Sequence, residues 1–169
     1  MTIELKIHRA ENSHTAHMNN SMSDPIAATR HWLEAAVIGL NLCPFAKAAY
    51  LTQRVHIAVT EAKTPEGLLT ALAEELQALV AMEPEERETT LLVLPDALED
   101  FLDYNDFLEL ADALLEDMDL AGEIQIASFH PQYRFAGTTL HAIENFTNRS
   151  PFPMLHLLRE ESVARAADG

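Results

Sequence analysis

Cysteine is almost missing from this chain of 169 residues: Cys43 stands alone, so no intramolecular disulfide can form. Glycine is scarce, five residues with none clustered, which excludes a phosphate-cradling loop and a dinucleotide-binding fingerprint. A nucleophile elbow of the Gly-x-Ser-x-Gly kind is absent too. The longest apolar run, Ala35–Leu40, falls far short of the roughly 20 residues that a membrane span needs. Glu4, His8 and Glu11 interrupt the N-terminal stretch, which has no apolar segment of the secretory type. These absences make the cytoplasm the expected compartment.

Bases are scarce as well, 11 against 27 acids, for a net charge of −16. The excess has one location. Glu61–Asp119 holds eighteen acids and two bases, whereas the rest of the chain is neutral. Such a segment repels nucleic acid and anionic membranes, so neither is an expected partner. Leu120–Arg159 is the opposite case, with Glu123 and Glu144 against Arg134, Arg149 and Arg159. An anion would be received there if anywhere.

Apolar residues make up 48% of the chain, enough for one core. Residues 1–23 are polar and without a sustained pattern, and are expected to form a flexible tail; residues 24–169 are expected to form one α/β domain. Asp24-Pro25 reads as an N-cap followed by proline at the first helical position, with Ile26, Leu33, Val37 and Leu40 as the apolar face of a helix to about Asn41. A short helix follows over Pro44–Tyr50. Val55, Ile57 and Val59 alternate as a strand. Thr64-Pro65 opens a helix with Leu68, Leu72, Leu76 and Val80 as its ladder. Leu91–Leu94 reads as a strand buried on both faces. Asp96 and Glu99 resemble a capping pair for the next helix, with Phe101, Leu108, Ala111, Leu115 and Met118 inward and Asp103, Asp106, Glu109, Asp112 and Glu116 outward. Ile124–Phe129 is a third strand. Met154–Leu158 is a fourth, of open direction, or the start of the last helix over Glu160–Ala167. The alternation predicts an α/β fold with a mainly parallel sheet of about four strands, crossover helices and an N-terminal helix. The acids then fall on the solvated faces of the crossover helices.

The Pro-punctuated stretch His130–Pro153 is the candidate site. Long irregular loops in compact folds are either functional or disordered, and Tyr133, Phe135, Phe146 and Phe152 argue against disorder. The stretch follows a strand's carboxyl end, where open parallel sheets bind ligands. In the functional reading His130 moves a proton, Arg134 and Arg149 clamp a carboxylate or phosphate, and Asn148 and Ser150 orient the ligand. In the structural reading the same polar groups satisfy loop backbone. His156, on a strand face with Met154 and Leu158, reads as a satisfied core histidine.

Cys43 is a conditional candidate. At the end of the first helix its thiol is a poor nucleophile; as the cap of a helix starting at Pro44 it is primed, and His130 becomes its potential base. Otherwise it is a small buried apolar residue. The spacings among Cys43, His130, His141 and His156 match no compact metal motif, so no metal and no cofactor are expected.

Four segments together carry a resemblance: Leu42–Ala46 (LCPFA), Leu91–Pro95 (LLVLP), Ala127–Gly137 (ASFHPQYRFAG) and Thr147–Glu160 (TNRSPFPMLHLLRE). They resemble a bacterial family of uncharacterised proteins, a domain-of-unknown-function family, over about Asp24 to Arg165. The resemblance implies one domain and supplies no mechanism. Two readings follow: an enzyme acting on a small anionic metabolite through the His/Arg/Asn loop, or a non-catalytic protein-interaction module using its acidic helices or that loop.

Overall fold

A computed structural model describes residues 24–40 and 44–168. Helix α1 spans Pro25–Trp32 and continues as a π-helical turn over Leu33–Ile38. Next come α2 (Pro44–Leu51), β1 (Val55–Val59), α3 (Pro65–Ala81), β2 (Thr89–Val93), α4 (Phe101–Asp117), β3 (Ile124–Phe129), a 3-10 turn (Ile143–Asn148), β4 (Met154–Arg159) and α5 (Glu160–Asp168). The caps follow local chemistry. Asp24 accepts from the Ile26 N–H and Thr64 from the Gly67 N–H, each ahead of a proline whose missing N–H costs the helix nothing.

The strands lie in the order β1-β2-β4-β3. β1 and β2 are parallel, but β4 runs antiparallel to both β2 and β3. The expectation of a mainly parallel sheet is therefore corrected to a mixed one. The physical reason lies in the connection: β3 reaches β4 through a loop without a crossover helix, and a chain that turns back without crossing a sheet face pairs antiparallel.

Side-chain alternation divides the core between the two faces. Leu92, Leu155 and Leu157 pack with α3 and α4 through Leu68, Leu72, Leu76, Tyr104 and Phe107. Leu91, Val93 and Met154 pack with Leu33 and Val37 of the π-helical turn, flanked by Trp32 and Phe129. β2 is buried at all five positions, as its unbroken apolar end predicts.

On α3 the expected apolar ladder shifts by one position at its end. A strict four-residue ladder drifts off a 3.6-residue helix, so Leu79 takes the buried place expected of Val80, which is 43% exposed. On α4 the expected Ala111 and Leu115 are buried together with Tyr104 and Phe107, and the expected Phe101, Leu108 and Met118 pack partly buried against the same core. Of the expected face of the first helix, Leu33 and Val37 are buried, whereas Ile26 and Leu40 are exposed. Asp100 caps α4, accepting from the Leu102 and Asp103 N–H groups at 2.8 and 3.3 Å, so the expected Asp96/Glu99 capping pair is not formed.

Candidate functional site at the carboxyl edge of the sheet

Because β4 alone is reversed, the carboxyl ends of β1, β2 and β3 share one edge with the start of β4. Two segments meet there: Pro95–Asp100, which leads from β2 into α4, and the 130–153 loop, which joins β3 to β4. Tyr104 fastens the edge from below. Its hydroxyl donates to the Met154 carbonyl at 2.6 Å and accepts from the Phe129 N–H at 3.0 Å, and burial pushes its pKa upward.

His130 is fully buried. The Gln132 N–H donates to Nδ1 at 2.9 Å, so the ring proton sits on Nε2 and goes to the Leu98 carbonyl, also at 2.9 Å. Its pKa is lowered chiefly by burial, against weaker upward pulls from nearby carbonyls and Asp100. The ring rests against Phe101 and Tyr104. Both nitrogens of the candidate proton carrier are thus bonded to backbone.

The other loop candidates hold backbone as well. Asn148 donates from Nδ2 to the Ser128 carbonyl at 3.0 Å, and its own carbonyl accepts the His130 N–H. Arg149 donates through Nε to the Tyr133 carbonyl at 3.2 Å and through Nη2 to the Leu140 carbonyl at 2.7 Å, with its guanidinium 4.6 Å from the Phe146 ring centre. Arg134, which is exposed, donates to the Thr138 carbonyl at 2.7 Å. Ser150 is buried and donates to the Phe152 carbonyl at 2.6 Å. These residues are brought onto one loop, but they do not converge on a shared ligand volume. Cys43 lies outside the described residues.

Sequence reasoning missed the loop's centre, Asn145. This fully buried amide accepts from the Phe135 N–H and the Thr138 hydroxyl through Oδ1, and donates from Nδ2 to the Thr139 carbonyl at 2.9 Å. With the polar groups turned inward, large apolar side chains are left outside: Phe135 at 37%, Leu140 at 54%, Ile143 at 82% and Phe146 at 54% exposure. A signal for this is present in the sequence as Leu140 and Ile143, set among the loop's polar residues apart from any periodic apolar pattern.

The ends of the same loop line a cleft of about 630 Å³. One wall is Pro95–Glu99; the other is Pro131–Gln132 and Pro151–Pro153. Neither Arg134 nor Arg149 borders it. On the opposite face of the sheet, His156 enters a small apolar cavity of about 60 Å³ beside Trp32, Leu33 and Phe129. Thr89 gives its hydroxyl proton to the Leu157 carbonyl, so His156 Nε2 must donate to Thr89 at 2.7 Å. Burial lowers the His156 pKa to about 4.

Among the described residues, no three His, Cys, Asp or Glu side chains gather as a metal ion requires, and no helix is long and apolar enough to cross a membrane. The fold defines a class: an α/β protein with a mixed four-stranded sheet, helices on both faces, and a long, internally bonded loop on its carboxyl edge. Within it, the chain belongs to the family described as protein of unknown function (DUF1415), whose profile matches residues 24–169. No curated protein and no solved structure matches the chain.

Proposed function

We propose that the protein is a non-catalytic interaction module whose docking surface is the middle of the 130–153 loop. The observation that carries this reading is the pairing of a backbone-directed polar set, with His130 and Asn145 buried, and four exposed large hydrophobics, Phe135, Leu140, Ile143 and Phe146. His130, Arg134 and Arg149, the residues on which the metabolite-enzyme reading rests, are each engaged with backbone groups, which favours the interaction reading over it. What the loop presents is rigid apolar area, which marks interaction sites on protein surfaces.

The partner's chemistry follows from the rim. Arg134 and Arg149 flank the patch, His141 is exposed beside it, and Glu144 is its single acid. An amphipathic segment with an apolar stripe and acidic borders is the complement. A basic segment would be drawn instead to the eighteen acids of Glu61–Asp119.

The test uses a fluorescent designed helix with a Leu/Phe stripe bordered by Glu, and a second bordered by Lys. The acidic helix is expected to bind the full chain, more weakly at higher salt, and to be lost with Ile143→Asp. Binding that is indifferent to Ile143→Asp, or to the sign of the border, overturns the proposal. Sedimentation that shows self-association abolished by Ile143→Asp would replace the foreign partner with a second copy.

A further inference from the structure

The cleft at the loop's two ends has a chemistry opposite to that of the patch. Its deeper lining is apolar: Pro95, Ala97, Leu98 and Phe152 are half-buried and Pro153 is buried. Its rim carries Gln132 and two exposed carboxylates, Asp96 and Glu99. The capping role that would have occupied those carboxylates belongs to Asp100. The salt bridges among the described residues all converge on Glu75 and Glu88, away from the cleft. No basic residue lines it.

We infer that this cleft is a binding site for a small organic cation, an ammonium or guanidinium group carried on an apolar body. Its volume lies in the range of small-ligand pockets, roughly 300–1,000 Å³, and it sits where α/β sheets place ligands, beyond the carboxyl ends of parallel strands. Four prolines, Pro95, Pro131, Pro151 and Pro153, fix φ around the walls, so the site is formed before the ligand arrives and little ordering is required on binding. The apolar lining takes the body, and the two carboxylates at the mouth take the charge. The anion expected from the arginines of the loop is disfavoured here, because its charge would meet Asp96 and Glu99.

The experiment compares phenethylammonium with 3-phenylpropionate, matched aromatic bodies of opposite charge, by ligand-observed NMR and calorimetric titration on the full chain. The ammonium is expected to bind and the carboxylate not. Asp96→Asn combined with Glu99→Gln should weaken the ammonium by about fivefold, the scale of two exposed charge pairs, without changing the melting temperature. Ile143→Asp should leave it unchanged, which separates this site from the patch. Equal binding of the carboxylate, no ammonium binding at millimolar concentration, or affinity untouched by the double substitution would each overturn the inference.

Discussion

The imidazole of His130 holds the carbonyl of Leu98, and Leu98 is the residue that needs holding. Leu98 adopts φ +57°, a left-handed conformation that costs a non-glycine residue about 1–2 kcal/mol. The hydrogen bond at 2.9 Å ties that turn to the 130–153 loop, so the two walls of the cleft are one mechanical unit. His130→Phe keeps an aromatic ring against Phe101 and Tyr104 but leaves the Leu98 carbonyl without its donor. A loss of about 1–3 kcal/mol in urea unfolding is expected. A loss within error of zero would show that the turn holds itself.

Burial of His130 and His156 makes folding weaken toward acid. His130 and His156 both have folded pKa values below 6.5, by burial, and His156 is brought down to about 4. Above pH 6.5 both are neutral folded or unfolded, and no penalty exists. As the pH falls below 6.5 the unfolded chain takes up protons that the folded chain refuses, so stability declines by up to about 1.4 kcal/mol per unit for each histidine. For His156 the decline ends near pH 4. Urea unfolding at pH 7, 6 and 5 should show this slope, and His156→Asn should remove its share. A flat profile between pH 6.5 and 5 would contradict the burial of both rings.

Much of this architecture is legible in the sequence, for reasons visible in particular residues. Ile124–Phe129 matches its strand to the residue, because Gly122 and the loop after His130 bracket an alternating run. Asp24-Pro25 and Thr64-Pro65 start helices where N-cap chemistry says they must. The direction of β4 was not legible, since alternation carries no polarity and the deciding fact is a connection with no crossover helix. At the candidate site, the residue types are legible in the sequence but what their side chains meet is not. His130, Asn148 and Arg149 have the same side chains whether they face a ligand or a carbonyl, and only the fold selects the carbonyl. The capping place that the sequence pattern assigns to Asp96 and Glu99 is taken by Asp100, one residue from Glu99 and equally able to accept from the first turn.

Thr90 offers a gain. It is fully buried on β2, and its hydroxyl has no partner among the described residues. Thr90→Val preserves the branched shape and removes the unsatisfied group, so stability should rise by about 1 kcal/mol. A rise in the urea midpoint at unchanged slope is the expected signature. A drop would show that the hydroxyl is hydrated.

Arg149 tests whether the docking surface depends on the bonds beneath it. Its guanidinium reaches the Tyr133 and Leu140 carbonyls, on either side of the patch, while lying against Phe146. Only a planar fork serves those directions at once. Arg149→Lys keeps the charge and loses the fork. Global stability should fall by only about 1 kcal/mol, because the Leu140 bond is exposed and the core lies elsewhere. The local effect should be larger: amide exchange through Leu140–Phe146 should accelerate at least tenfold, while β2 and β4 stay protected. Binding of the acidic amphipathic helix should weaken in step, since a loosened Phe146 and Ile143 must be ordered again on docking. If exchange accelerates and peptide binding does not change, the patch does not require a rigid loop. If neither changes, the fork is a decoration of the loop and Asn145 alone holds it.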